Sequence, residues 1–174
     1  MQVNNCRIRP VEAADLEQML AWRNQPQVRA CMLTQHEITF AEHQQWFERS
    51  TQDPMRRLLI VEEAGLPLGF VGFSGVEIGA IATWGFYAAP DGTKGAGTRI
   101  GSTALEFAFN TLALHKVCGQ ALAFNEASIR MHQKLGFRQE GVLRQQHRIA
   151  DSYHDIICFG LLQDEWNMKS GHSK

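Results

Sequence analysis

Apolar positions recur along this chain with two different periods, and the changes of period divide it into elements. Residues 7–9 alternate as a short strand that Pro10 ends. Residues 11–24, VEAADLEQMLAWRN, set Leu16, Met19, Leu20 and Arg23 on neighbouring faces of a helix, with Pro26 just beyond its end. Residues 32–37 read as a loop. Thr39, followed three residues later by Glu42, forms a capping box that opens a helix over FAEHQQWFERS, residues 40–50. The apolar run 58–63 is a strand. The A-G-L-P turn at 64–67 sends it into LGFVGFSGV (68–76), a spacing short enough to require an antiparallel hairpin. A turn near 77–79 leads to a strand over 80–89.

The second half changes period again. After DGTKGAGTRIG, the pattern IGSTALEFAFNTLAL puts Ile100, Leu105, Ala108, Phe109 and Leu112 on one stripe of a long helix. HKVCGQALAF is a strand, SIRMHQKLGF a short helix stopped by Gly136, and FRQEGVLRQQ with YHDIICFGLL a final strand pair. Residues 167–174, NMKSGHSK, read as a frayed tail behind a single domain of residues 1–166. The order is one strand, two helices, three antiparallel strands, helix, strand, helix and two strands, a mixed α+β fold. There are no repeats and no linker.

The turn between the strand 80–89 and the long helix is where chemistry first shows. Gly95 and Gly97 remove side chains, so successive backbone N–H groups can converge on an anion, and the helix that starts there adds its positive end. Such turns also simply join strands to helices, and on the residues alone both readings stand.

Composition narrows the classes. A chain of 174 residues with 44% hydrophobic and 20% charged residues is an ordinary globular protein able to bury a core. A net charge of −1 argues against a nucleic acid or an anionic membrane as main partner. Cys6, Cys31, Cys118 and Cys158 show no C-x-x-C spacing and read as reduced thiols. The start, MQVNNCRIRP, lacks the apolar stretch of a signal peptide and no run reaches membrane-spanning length, so the cytoplasm is expected. The histidines form no metal-ligand spacing, and no metal is expected. No G-x-S-x-G elbow marks a serine hydrolase.

The strand–KGAG–helix, followed in order by N-x-x-S-x-x-x-x-x-K-L-G-F over residues 125–137, resembles the GNAT superfamily of N-acetyltransferases across nearly the whole chain. The resemblance implies a mostly antiparallel twisted sheet, splayed between its fourth and fifth strands and flanked by about four helices. It implies acetyl-CoA as co-substrate, with the pantetheine arm in the splay. Carried over, Phe86, Tyr87 and Ala88 offer backbone groups to that arm. Lys94, Gly95, Ala96, Gly97 and Thr98 cradle the diphosphate, and Asn125 and Ser128 flank the sulfur end. Two positions depart from the family pattern. Gly92 stands where an Arg or Gln is usual, leaving Lys94 or Arg99 as a substitute cation. His132 stands where a tyrosine usually protonates the leaving thiolate.

By that correspondence His132 is the expected general acid, an imidazolium near neutral pH being a competent donor. The strand 80–89 lacks the glutamate that many relatives use as base. Glu126 is the nearest carboxylate to the expected reaction centre and is the candidate base, with Glu77 a weaker choice and water a third.

The N-terminal helices build the acceptor site in this superfamily. Here W-R-N, V-R-x-x-M and I-x-x-x-x-H-x-x-W-F resemble the acetyltransferases of pseudaminic acid biosynthesis. Those enzymes acetylate a UDP-linked 4-amino-4,6-dideoxy-N-acetyl-altrosamine. On that resemblance Arg23 and Arg29 meet phosphate or ring oxygens, Asn24 is a further substrate-binding residue, His43 and Trp46 meet a ring and its hydroxyl, and Trp84 walls off the sugar methyl. Trp22 and Phe47 are expected in the core. A polyamine acetyltransferase, a ribosomal-protein N-terminal acetyltransferase and a non-catalytic acyl-CoA-binding module remain alternatives, and a homodimer remains open.

Overall fold

The computed structural model describes residues 5–171. One seven-stranded sheet runs in the order β1-β2-β3-β4-β5-β7-β6. Its strands are β1 (Cys6–Pro10), β2 (Arg56–Glu63), β3 (Leu66–Ser74), β4 (Ile81–Ala88), β5 (Lys116–Leu122), β6 (Arg138–Ile149) and β7 (Ser152–Leu162). Every adjacent pair is antiparallel except β4 and β5. That pair is parallel because α4 (Ala96–Glu106), extended by a π-type turn over Phe107–Thr111, crosses between the two strands.

The helices divide between the two faces of the sheet, each over its own core. On one face α1 (Leu16–Arg23) and α3 (Phe40–Gln52) cover Met19, Trp22, Ile60, Phe70 and Tyr87, with Trp46 and Phe47 packed partly buried against them. On the other, α4 and α5 (Glu126–Leu135) bury Ile100, Leu105, Phe109, Met131 and Leu135 against Val71, Phe73 and Trp84. The helical stripe around Ile100, Leu105, Ala108 and Phe109 is almost fully enclosed, as its 3.6-residue spacing requires.

Local signals act where expected. The Thr39–Glu42 capping box is formed reciprocally: Thr39 N–H donates to Glu42 Oε2 at 2.7 Å, and Glu42 N–H donates to Thr39 Oγ1 at 3.3 Å. The turn at 64–67 uses left-handed backbone at Ala64 and Gly65 and joins β2 to β3 as an antiparallel hairpin.

Three elements differ from expectation. The helix expected over 11–24 begins only at Leu16, behind a 3₁₀ turn over Ala13–Asp15. Pro26 does not only end α1; it opens a further short helix, α2 (Pro26–Arg29), from the N1 position where its missing N–H costs nothing. The stretch read as a tail from 167 is instead the second half of α6 (Gln163–Ser170). One residue explains this: Trp166 is buried against Phe109, and its indole N–H donates to Glu106 Oε2 at 3.3 Å. Residues 172–174 lie outside the described residues.

Candidate active site

Strands β4 and β5 pair for three residues only, Ile81 with Lys116, Ala82 with Val117 and Thr83 with Cys118. Beyond Thr83 the two strands separate. β4 stays in register with β3 as far as Ala88, so along 84–88 it has one partnered edge and one edge with no β5 partner. An unpartnered strand edge is a row of donors and acceptors ready for an extended ligand. A cleft of about 470 Å³ occupies the gap, bounded by Phe86 and Tyr87 of β4, Gly97 of α4, and Asn125, Ser128 and His132 of α5. Asn125 caps α5, its Oδ1 accepting from Ser128 N–H at 3.2 Å.

The glycine turn closes one end of this cleft. Gly95 is the N-cap of α4 with φ of +85°, a left-handed backbone that side chains rarely adopt. Among the described residues no backbone carbonyl takes the Gly95 or Gly97 N–H, which leaves these donors at the positive end of α4. Lys94 is exposed at the turn. Arg99 is otherwise engaged: its Nη2 donates to Glu63 Oε2 at 3.2 Å and to Thr93 Oγ1, while Nη1 donates to Lys94 O at 3.1 Å. Arg99 therefore clasps the turn to β2, and of the two substitute cations only Lys94 is uncommitted.

A second cleft, of about 590 Å³, opens on the α1/α3 face and shares the segment Thr83–Tyr87 with the first. Arg23, His43 and Trp46 line it. Arg23 is 9% exposed; its Nη2 donates to Thr34 O at 3.0 Å, but Nη1 is buried without a partner. His43 is 4% exposed, stacks on Trp46 with centroids 5.1 Å apart, and has an unpartnered buried Nε2. Burial, with the nearby Arg23 charge second, pushes the proton affinity of His43 below its ordinary value, which keeps the ring neutral.

The sequence reading missed Arg49 and Arg56, which also line this cleft, and Thr83 and Gly85 from β4. Signals for them existed. Arg49 follows His43 and Trp46 at steps of three along α3, and Thr83 and Gly85 alternate with Trp84 and Phe86. Among the described residues Glu42 is the one carboxylate in the lining, and it is bound to Thr39 and faces His36 at 3.2 Å.

Five expected residues sit differently. Asn24 grips the backbone of Ile38 with both ends of its amide, at 2.8 and 2.9 Å, and so holds the loop before α3 rather than facing the acceptor. Arg29 does not line either cleft and points to Glu37, 3.6 Å away. Glu126 lines neither cleft; three-quarters exposed, it pairs with Arg130 one helical turn on, so geometry gives it no proton to take from an amine. The indole of Trp84 packs in the core with Phe73, Phe86 and Phe137, although Trp84 also lines the second cleft, where Thr83, Gly85 and Tyr87 alternate with it along β4. His132 is 1% exposed with both ring nitrogens engaged. Burial lowers its proton affinity, only partly offset by the Ser128 carbonyl. A neutral ring whose one proton is committed to a carbonyl is not placed to be the acid.

Comparison with known proteins agrees with this geometry. The acetyltransferase (GNAT) domain family matches residues 5–138. An uncharacterized SPbeta prophage-derived N-acetyltransferase of Bacillus subtilis is 32% identical over 130 residues, 73% of each chain. The spermidine N(1)-acetyltransferase of Escherichia coli is 26% identical over 94% of this chain and 89% of its own. Acetyltransferase PseH of Campylobacter jejuni is 23% identical over 73% and 79%. The solved spermidine N-acetyltransferase of Vibrio cholerae, in complex with CoA and spermine, superposes with a TM-score of 0.86 at 23% identity, covering 93% of this chain and 98% of that one.

Proposed function

The chain belongs to the GNAT family of N-acetyltransferases, and from that premise we propose that it acetylates the amino group of an anion-bearing acceptor. The acceptor is a nucleotide-linked aminosugar of the UDP-4-amino-4,6-dideoxy-N-acetyl-altrosamine type. Acetyl-CoA lies in the β4/β5 gap with its diphosphate at residues 94–98, and the amine reaches it from the α1/α3 cleft where the two clefts share Thr83–Tyr87.

The chemistry needs little beyond this arrangement. The amine nitrogen bonds to the acetyl carbon, the C–S bond breaks with its electron pair on sulfur, and the ammonium proton goes to water. Outward-facing N–H groups of β4 polarise the carbonyl. No side chain on α5 is assigned as acid. An alkyl thiol ionises near pH ~8.5, so release as thiolate costs only about 2 kcal/mol at neutral pH.

The observation that carries the acceptor class is the charge of its cleft. Three arginines, Arg23, Arg49 and Arg56, line it with one carboxylate, Glu42, already bound within the protein, and of the three Arg56 also pairs with Asp53 at 3.5 Å. Buried Arg23 has a donor without a partner and, among the described residues, no carboxylate acting on it. Such a cleft attracts phosphate and repels a polycation. The resemblance of the N-terminal helices to pseudaminic acid enzymes and the similarity to PseH point the same way. The similarity to spermidine acetyltransferases supports the rival acceptor. A thiol-release assay with UDP-4-aminosugars, spermidine and N-terminal peptides decides between them. Turnover on the sugar nucleotide is expected, and turnover on spermidine alone overturns the reading.

A further inference from the structure

The β4/β5 ladder ends at Thr83 and Cys118, so Trp84 and Gly119 form the first unpaired row. At that row the Trp84 indole Nε1–H donates to Nε2 of His132 at 3.1 Å. The other ring nitrogen, Nδ1, donates to Ser128 O at 2.8 Å. Indole N–H only donates, so Nε2 carries no proton and His132 is the neutral Nδ1–H imidazole. The ring lies flat on Phe159, centroids 4.7 Å apart and 8° from parallel, and meets Phe137 edge-on at 4.9 Å. Gly119 makes the room. A Cβ there would stand 2.5 Å from His132 Nε2 and 2.6 Å from Trp84 Nε1. Three segments, β4, β5 and α5, therefore meet at one buried hydrogen bond at the apex of the gap.

We propose that Trp84 and His132 are a pair of positioning residues that ends the β4/β5 ladder and fixes the width of the gap into which the cofactor's thioester arm passes. This rests on the reading of the gap as the acetyl-CoA site. The pair acts through geometry: it keeps the 84–88 edge of β4 clear of β5 and available to the arm. The groups around His132, namely Ser128 on α5, Trp84 and Phe86 on β4, Gly119 on β5, Phe137 and Phe159, carry no charge. Only the Ser128 carbonyl favours an imidazolium, burial outweighs it, and the pair persists across neutral pH. The position where relatives place a proton donor is thus occupied here by a strut.

Nitrogen-15 NMR of the wild-type imidazoles, followed between about pH 5.5 and 8, is the first test. One histidine should show protonated Nδ1 and bare Nε2 throughout; a His132 that titrates in that range, or carries its proton on Nε2, overturns the proposal. The second test is calorimetric titration with CoA. Trp84→Phe keeps a ring but loses the donor, and should weaken CoA binding about tenfold, the equivalent of one buried hydrogen bond, with the fold intact by circular dichroism. His132→Gln, whose amide oxygen can still accept from Trp84, should stay within about threefold of wild type. A folded Trp84→Phe that binds CoA like wild type overturns the proposal, as does His132→Gln losing as much affinity as Trp84→Phe. If Trp84→Phe does not fold, the NMR result and the His132→Gln affinity decide. Wild-type protein that ignores CoA sinks the acetyl-CoA reading instead, which separates the two failures.

Discussion

Arg23 concentrates the acceptor argument in one side chain. A guanidinium that is 9% exposed, with one nitrogen on a backbone carbonyl and another unpartnered, is expensive to keep unless a ligand completes it. Arg23→Met keeps the apolar stem and removes the charge. It should raise KM for a sugar-nucleotide acceptor ten- to hundredfold, about 1.4–2.7 kcal/mol, while CoA affinity measured by calorimetry stays unchanged. Glu126 makes the opposite prediction. Its exposed pair with Arg130 is of a kind that contributes only ~0.3–0.5 kcal/mol, so Glu126→Gln should leave kcat within about twofold of wild type in steady-state assays. A much larger loss would return Glu126 to the role its proximity in sequence suggested.

At the level of elements, two glycines set the geometry of the β4/β5 gap. Gly95→Ala forces a side chain into left-handed backbone at the cap of α4. At about 1–2 kcal/mol for that conformation, CoA affinity should fall measurably, and calorimetry reads it directly. Gly119→Ala pushes a methyl into the Trp84–His132 contact and should lower the unfolding free energy measured by urea titration by about 1–3 kcal/mol. Elements of this kind differ in how openly the sequence states them. The Thr39–Glu42 box, the 64–67 turn and the stop at Gly136 are local chemistry, and each forms where its residues predict. The late start of α1 and the short α2 opened by Pro26 are not read from the sequence, and α6 depends on a contact remote in sequence, Trp166 on Glu106, that is not legible there. The site shows the same division. Arg23, His43 and Trp46 are reached through the resemblance of the N-terminal helices, whereas the surroundings of His132 turn on a tryptophan 48 residues away.

The whole molecule is a sheet with a core on each face, and the two candidate clefts meet along β4 between them. Two histidines, one under each set of helices, are held neutral by burial, and this makes the fold pH-sensitive. Below their ordinary value of 6.5 the unfolded chain takes up protons that the folded chain refuses. The unfolded state then binds more protons, so stability rises with pH and is lost as pH falls through 6.5 and below. The urea midpoint should be lower at about pH 5.5 than at about pH 8, and His43→Phe should flatten the difference. A pH-independent midpoint contradicts the buried-neutral assignment of both rings.

The most direct test of the central claim is a crystal structure with acetyl-CoA bound. The diphosphate should lie on the backbone of residues 94–98, the pantetheine arm in the gap beyond Thr83, and the sulfur beside the Thr83–Tyr87 segment that both clefts share. A cofactor seated elsewhere, or a gap left empty at saturating acetyl-CoA, contradicts the claim.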